Sequence, residues 1–195
     1  MGTKKYNQGL RRSDGSDREE NDYYATHPSA IPPLLKLMGW EKGGLLIREN
    51  SCGAGLLSMM LEVYGHKVIS TDLINRGYGI APVNFLEPNF YDNLPYDATV
   101  MNPPYKHSVA FIKKSLEQSP IVCAFLRLTF LESQRRVDFF RKYPPKIVAV
   151  FSERMKSSKN AKWVNKKGKE EKGTATYAWF IFERGFQGEP VIKWI

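Results

Sequence analysis

The sequence predicts an α/β fold built on a mostly parallel sheet. Apolar strand-like runs alternate with segments of helical spacing along most of the chain, which is typical of parallel strands joined by helices. The last two predicted strands, 146–151 and 175–182, are separated by a long polar segment, which indicates an antiparallel pair at one edge of the sheet. A chain of 195 residues is long enough for one sizeable core.

Residues 1–22 differ in composition from the rest of the chain. They contain five basic and five acidic side chains and almost no apolar ones. Such a stretch cannot bury enough apolar surface to become ordered by itself. We therefore predict a flexible arm over 1–22 and a single domain over 23–195.

The elements of that domain follow one another in a regular order. A short helix opens it, and a strand, a glycine loop and a helix come next. The remaining predicted strands are 67–72, a shorter one at 83–86, then 97–101 and 121–129, and predicted helices lie at 108–118 and 134–143. Together with the last two strands they give a sheet of about seven strands.

The glycine loop after the first strand has the pattern of a cofactor site. Gly53 and Gly55 let the backbone approach a ligand closely, and Asp72, which ends the next strand, can accept hydrogen bonds from ribose hydroxyl groups. Ser58 replaces the third glycine of dinucleotide folds, and Glu49 places a negative charge before the loop. That charge favours a cationic ligand such as S-adenosylmethionine over a pyrophosphate. The alternative is a tight turn that needs two glycines for its geometry.

The stretch Asn102-Pro103-Pro104-Tyr105 closes the strand 97–101. The prolines hold the backbone extended, so that the Asn102 side-chain oxygen and the Pro103 carbonyl can face the same space as two acceptors. Two acceptors suit an exocyclic NH₂ group, whose lone pair then points at a methyl donor. The ring of Tyr105 offers a face on which an unstacked base can rest. The alternative is an ordinary Pro-Pro turn.

Taken together, these motifs resemble those of S-adenosylmethionine-dependent N6-adenine methyltransferases of the NPPY type, including small phage and prophage enzymes. The resemblance implies a Rossmann-like class I methyltransferase fold, with a mostly parallel seven-stranded sheet and an antiparallel edge hairpin. It implies catalysis by Asn102, Pro103, Pro104 and Tyr105. It also implies cofactor binding by Thr26, Glu49, Ser51, Gly53, Gly55, Asp72, Asn84 and Phe85. This chain departs from the family pattern at His27, which interrupts a Thr-Pro pair, and at Asn84, which replaces a common acidic residue.

The charge of the chain favours a polyanionic partner. Lys and Arg exceed Asp and Glu by 29 − 20 = 9, and the segment 153–172 contains eight basic and three acidic residues. We predict that this basic loop binds nucleic acid, with Trp163 as a stacking ring among lysines. The predicted contacts are Lys156, Lys159, Lys162, Trp163, Lys166 and Lys167. A solvated surface loop is the alternative.

The sequence gives no indication of a metal, a disulfide or a membrane segment. Its two cysteines and three histidines lack ligand spacing. No apolar run approaches the roughly 20 residues that span a bilayer, and the first residues do not resemble a signal peptide. We expect a soluble, cytoplasmic protein.

The resulting expectation is methyl transfer from S-adenosylmethionine to the N6 amino group of adenine, in DNA more than in RNA. The alternatives are an RNA base, a protein glutamine amide, or a catalytically degenerate module that binds nucleic acid. The sheet needs most of the chain after Tyr105, so we expect no separate target-recognition domain. The arm, the basic loop or a protein partner would then recognise the target.

Overall fold

The computed structural model describes residues 24–155, 157–159 and 175–195. The predicted arm and most of the predicted basic loop lie outside these residues. Short 3₁₀ turns separate several of the strands and helices. In chain order the strands and α-helices are β1 (Tyr24–Thr26), α1 (Ile31–Met38), β2 (Leu46–Glu49), α2 (Leu56–Val63), β3 (Lys67–Ser70), β4 (Ala98–Met101), α3 (Ser108–Gln118), β5 (Ile121–Arg127), α4 (Val137–Lys142), β6 (Ile147–Val150), β7 (Ser157–Lys159), β8 (Tyr177–Glu183) and β9 (Val191–Trp194).

Seven strands form one mixed sheet in the order β3-β2-β4-β5-β8-β6-β9. Of these strands only β8 is antiparallel, pairing with β5 on one side and β6 on the other. This confirms the predicted mostly parallel α/β sheet. The predicted edge position of the antiparallel pair needs correction, because Val191–Trp194 adds a parallel strand outside β6. The antiparallel pair of β8 and β6 therefore lies one strand inside the edge of the sheet.

Helices cover both faces of the sheet. Helices α1 and α2 pack with one cluster of buried side chains, which includes Leu34, Leu61 and Trp179. Helix α3 and helix α4 pack on the other face, where Ile112 and Phe139 are buried. Crossover helices on both faces are what parallel strands require, because each connection must return across the sheet.

The predicted strand at 83–86 was wrong, because this segment forms a turn and irregular structure. Arg48, which is fully buried on β2, organises the segment instead. Its Nη1 donates hydrogen bonds to the Tyr91 carbonyl and the Tyr96 hydroxyl, each at 2.7 Å, and its guanidinium lies 5.3 Å from the centre of the Phe85 ring. Burial of a guanidinium is costly unless most of its donors find acceptors, so these bonds hold the connection against the sheet even though Nε has no partner among the described residues.

Among the described residues, no helix is long and apolar enough to cross a membrane. The same residues contain no group of three or more His, Cys, Asp or Glu side chains that could hold a metal ion.

Candidate active site

The predicted site residues lie where the parallel strands end. Strand β2 pairs in parallel with both β3 and β4, so the residues after these three strands meet at one edge of the sheet. Glu49 ends β2, Asp72 follows β3 and Asn102 follows β4. The fold thus brings the glycine loop and the Asn-Pro-Pro-Tyr stretch together.

Two hydrogen bonds connect Asn102 to its surroundings. The Ser51 hydroxyl donates to the main-chain carbonyl of Asn102 at 3.1 Å. The Asn102 side-chain Nδ2 donates to the main-chain carbonyl of Tyr24 at 2.7 Å. Strand β1, the glycine loop and the end of β4 therefore converge on one residue.

Asn102 and Pro103 present two acceptor oxygens at this point. The amide nitrogen of Asn102 is engaged by Tyr24, which leaves Oδ1 as the free hydrogen-bonding atom of that side chain. No residue that the structure describes donates to Asn102 Oδ1 or to the Pro103 carbonyl. The site can therefore accept two hydrogen bonds from a ligand.

Tyr105 is held by aromatic and cationic neighbours. Its hydroxyl donates to the Tyr177 hydroxyl at 3.1 Å, and its ring centre lies 6.0 Å from that of Tyr24 at an interplanar angle of 31°. The guanidinium carbon of Arg127 lies 5.1 Å from the centre of the Tyr105 ring. Burial raises the pKa of Tyr105 well above its usual range, so the hydroxyl stays protonated.

The turn after Asn102 leads directly into α3. The Pro104 carbonyl accepts a hydrogen bond from the His107 amide at 2.8 Å and another from the Ser108 hydroxyl at 3.3 Å. The Ser108 hydroxyl also donates to the Tyr105 carbonyl at 2.9 Å. These bonds fix the backbone of the motif, because each engages a carbonyl within it.

The glycine loop is closely packed. Gly55 has φ +80°, and a Cβ atom there would collide with the ring of Tyr78. Tyr78 itself is held by a hydrogen bond from its hydroxyl to Glu62 at 3.1 Å. Glycine is thus required at position 55 for both backbone conformation and space.

Asp72 ties the glycine loop to the segment after β3. Its Oδ2 accepts from the Gly53 amide at 2.8 Å, while Oδ1 accepts from the Ile74 amide at 2.8 Å and pairs with Arg76 at 3.2 Å. A carboxylate oxygen has two acceptor positions, so Oδ2 retains one for a ligand hydroxyl. Asp72 can both shape the loop and bind a ligand.

Glu49 makes its contacts within the protein. The side chain is buried and accepts hydrogen bonds from the Ser58 amide at 3.0 Å and from the Ser58 hydroxyl. That hydroxyl also lies 2.6 Å from the Ser70 hydroxyl. Burial raises the pKa of Glu49 to about 8, against the lowering effect of the Ser58 hydrogen bonds. The carboxyl group therefore links β2 to the first turn of α2.

Thr26 has an unsatisfied buried hydroxyl. The residue is 3% exposed, and its Oγ1 has no hydrogen-bond partner among the described residues. It lies two residues after Tyr24, whose carbonyl binds Asn102. Since buried hydroxyl groups nearly always find partners, Thr26 is a candidate to bind a ligand in this region.

Asn84 and Phe85 are engaged elsewhere. Asn84 is exposed; its side chain accepts from the Leu86 amide at 3.1 Å and donates to Glu87 at 2.9 Å. Phe85 is 2% exposed and packs against Phe111 at a ring-centre distance of 4.9 Å. Phe85 therefore offers no open face to a ligand in this structure.

Most of the predicted nucleic-acid contacts lie outside the described residues. These are Lys156, Lys162, Trp163, Lys166 and Lys167. The backbone of Lys159 lies in β7, which pairs antiparallel with β1 and places Lys159 opposite Tyr24. The described part of the predicted basic loop, 157–159, therefore lies beside the strand whose carbonyl accepts the hydrogen bond from Asn102.

Sequence reasoning missed three residues around Tyr105. Tyr24 and Tyr177 come from β1 and β8, and Arg127 comes from the end of β5. For Arg127 a signal was present, because it follows an apolar strand at the same sheet edge as Asn102. For Tyr177 the signal was indirect, because the predicted antiparallel direction of 175–182 places the first residues of that strand at this edge, as β8 does.

Solved structures of low sequence identity share this fold. One is the methyltransferase subunit of a type I restriction-modification system from Streptococcus thermophilus, with a TM-score of 0.61, 12% identity, and coverage of 89% of this chain and 47% of that chain. Another is magnesium protoporphyrin IX methyltransferase from Synechocystis with bound S-adenosylmethionine. Its TM-score is 0.52 and its identity 13%, and the match covers 81% of this chain and 78% of that chain. The chain has a class I methyltransferase fold.

A third structure with this methyltransferase fold is a "putative RNA methyltransferase" from Pyrococcus horikoshii, with a TM-score of 0.54, 16% identity, and coverage of 82% of this chain and 83% of that chain. The present chain spans under half the length of the restriction-modification subunit. No protein-family profile and no curated protein sequence matches the chain. The likeness to class I methyltransferases is therefore one of fold.

Proposed function

We propose that this protein transfers a methyl group from S-adenosylmethionine to the N6 amino group of adenine in DNA. The observation that carries the proposal is that Asn102 Oδ1 and the Pro103 carbonyl, beside the glycine loop, receive no hydrogen bond from the described residues. An exocyclic amino group has two hydrogens, and two acceptors can bind both of them.

The two acceptors would direct the reaction. When both N–H groups are bound, the nitrogen lone pair points away from the acceptors and toward the methyl donor. Positive charge develops on the nitrogen during transfer, and the two oxygens stabilise it more strongly than they stabilise the neutral amine. As the N–CH₃ bond forms the S–CH₃ bond breaks, the donor leaves as the neutral thioether S-adenosylhomocysteine, and the methylated nitrogen loses a proton to water. Because that nitrogen is cationic and acidic, the reaction needs no strong base. The hydrogen bond from Asn102 Nδ2 to Tyr24 holds the acceptor oxygen in place.

The proposed adenine would leave its base stack to reach Asn102. Tyr105 supplies a flat ring beside the acceptors, and stacking on an aromatic ring contributes on the order of 1–3 kcal/mol per base. The hydrogen bond between the Tyr105 and Tyr177 hydroxyl groups fixes the ring orientation before the substrate arrives. The ring is thus preorganised for a planar base.

The residues present fit S-adenosylmethionine, which supplies an electrophilic methyl group when bound. The Thr26 hydroxyl lacks a partner among the described residues, and Asp72 Oδ2 retains one acceptor position for a ribose hydroxyl. Glu49 would act through Ser58 by fixing the glycine loop; because burial raises its pKa to about 8, the negative charge expected from the sequence is not available to attract a cationic ligand at neutral pH. Asn84 and Phe85 are not part of this proposal, because their side chains are engaged elsewhere.

Two features support a nucleic-acid substrate. The chain has a net charge of +9, and strand β7, the described part of the lysine-rich segment, pairs with β1, whose Tyr24 carbonyl accepts the hydrogen bond from Asn102. The likeness to a restriction-modification subunit favours DNA, while the likeness to the P. horikoshii protein keeps RNA as the second candidate. A protein glutamine amide would give less reason for this positive charge.

A transfer assay tests the proposal directly. Methyl-labelled S-adenosylmethionine is incubated with the protein and, in parallel, with unmethylated DNA, RNA and a protein mixture. We expect label in DNA, recovered as N6-methyladenine after nucleoside analysis. Label in RNA or in protein glutamine would show that the substrate is RNA or protein and not DNA. The absence of label in all three would reject methyl transfer to these substrates.

A further inference from the structure

Arg127 lies at the substrate side of the candidate site without a role in the reaction proposed above. Strand β5, which it ends, pairs in parallel with β4, so Arg127 reaches the same sheet edge as Asn102. Its guanidinium lies 5.1 Å from the centre of the Tyr105 ring and near the hydroxyl groups of Tyr105 and Tyr177. Its immediate neighbours are therefore the aromatic residues of the proposed base site.

The charge of Arg127 is not balanced by a carboxylate in the part of the chain that the structure describes. No ion pair involves Arg127 there, and its buried Nε has no hydrogen-bond partner. Arg76 and Arg48 differ in having a carboxylate partner: Arg76 pairs with Asp72 at 3.2 Å, and Arg48, whose Nε also lacks a hydrogen-bond partner, lies 3.8 Å from Asp92. A partly buried cation is costly unless an anion and hydrogen-bond acceptors accompany it.

We propose that Arg127 binds a phosphate group of the nucleic-acid substrate next to the nucleotide whose base rests on Tyr105. The inference rests on the proposed function, and it names a phosphate as the anionic group of the substrate that this site recognises. A guanidinium matches a phosphate well, because its planar N–H groups bind two phosphate oxygens at once. Arg127 lies against Tyr105, so the ring and the guanidinium would contact the base and the phosphate of neighbouring parts of one strand.

This assignment separates nucleic acid from the amide alternative. A glutamine side chain is neutral and brings no phosphate to Arg127, so the positive charge would stay uncompensated when that substrate binds. A nucleotide brings the base and the anion together. The Arg127–Tyr105 pair therefore favours a phosphorylated substrate at this position.

The salt dependence of oligonucleotide binding measures this contact without requiring catalysis. We would measure the Kd of a short single-stranded oligodeoxyadenylate by fluorescence anisotropy over a range of salt concentrations. Each phosphate neutralised in a single strand contributes about 0.7 to the slope of log K against log salt. Arg127→Met should reduce the slope by about this amount, while Arg127→Lys should retain it.

Arg141→Met is the matched control. Arg141 lies on α4, its side chain is 77% exposed, and it pairs with Asp138 at 3.2 Å. The same substitution there should leave the slope unchanged. An unchanged slope in Arg127→Met, with the variant folded, would overturn the proposal, as would an equal loss in Arg141→Met.

A measurement on the unaltered protein covers the case in which Arg127→Met does not fold. Deoxyadenosine and its 5′- and 3′-monophosphates would be compared as ligands by calorimetry. Several-fold tighter binding of at least one monophosphate is expected, and equal affinities for all three would overturn the phosphate assignment. If DNA is methylated but the slope is unchanged in Arg127→Met, only the Arg127 proposal fails. If the slope falls but no methylation occurs, the proposed function fails and the phosphate site stands.

Discussion

The Ser51 hydroxyl donates a hydrogen bond to the main-chain carbonyl of Asn102 at 3.1 Å. Ser51 belongs to the glycine loop after β2, and Asn102 follows β4. The bond therefore connects the proposed cofactor side of the site to its substrate side. Because transfer requires the reacting atoms to meet in line, a small displacement of either side costs rate.

We expect Ser51→Ala to slow methyl transfer by up to about tenfold while changing cofactor affinity less, because one hydrogen bond contributes roughly 1 kcal/mol. Single-turnover rates and calorimetry with S-adenosylmethionine would check this. The control is Ser152→Ala, since the Ser152 hydroxyl makes a similar bond to the Ile195 carbonyl at 3.0 Å. Equal losses of rate in the two variants would contradict the coupling role of Ser51.

Asn102→Ala should reduce methyl transfer by roughly 10²–10³-fold or more, because it removes one of the two oxygens that stabilise the transition state. Cofactor binding should be nearly retained, since the bond from Ser51 goes to the main chain of residue 102 and survives the substitution. Asn93→Ala, at an exposed position, is the control. A parallel loss of cofactor affinity in Asn102→Ala would show that Asn102 does not act on the substrate amine.

Asp72→Asn should weaken cofactor binding by about tenfold, because it removes a charge from the proposed ribose site and from the ion pair with Arg76. Calorimetry measures the affinity, and thermal unfolding measures the accompanying loss of loop stability. Asp138→Asn is a matched control, because Asp138 pairs with Arg141 at the same distance of 3.2 Å on the exposed face of α4. An unchanged affinity of Asp72→Asn for S-adenosylmethionine would show that Asp72 does not bind the ribose.

The free energy of unfolding of Glu49→Gln, measured relative to that of the unaltered protein, should increase as pH rises. Burial raises the pKa of Glu49 to about 8 from an ordinary value of 4.5, so between these values the unfolded chain releases a proton that the folded chain retains. The stability of the unaltered protein therefore decreases through this range, by about 1.4 kcal/mol per pH unit from this group.

Urea unfolding at several pH values between 5 and 8 would measure the difference between the two proteins. Glu117→Gln, at an exposed position on α3, should keep the pH dependence of the unaltered protein. A difference between Glu49→Gln and the unaltered protein that does not change with pH would mean that Glu49 is ionised in the folded state.

Replacing Lys162, Lys166 and Lys167 with Glu should weaken DNA binding and flatten its salt dependence, because each phosphate contact in duplex DNA contributes about 0.9 to the slope. Replacing Lys36, Lys42 and Lys67, which are exposed, with Glu changes the net charge equally and is the control. Fluorescence anisotropy over a salt series would compare the two. Equal slopes of log K against log salt in both triple variants would show that the basic loop does not contact DNA.

The sequence by itself determined the elements whose pattern is local. The periodicity of α3 predicted residues 108–118, which are the bounds the structure shows. The apolar runs predicted β2, β3, β4 and β5 to within a few residues. Asp72 and Asn102 were each predicted at the end of a strand in a mostly parallel sheet, and the carboxyl ends of such strands meet at one edge.

Only the tertiary structure decided features that depend on residues distant in sequence. Arg48 holds the segment around Tyr91 and Tyr96 in place of a predicted strand, through contacts that span more than forty residues. The environment of Tyr105 is built by Arg127 and by Tyr177, which lies 72 residues later. Strand β9 covers β6 because the chain returns to that edge after β8. Local periodicity contains none of this information, since these contacts arise only when the strands pack side by side.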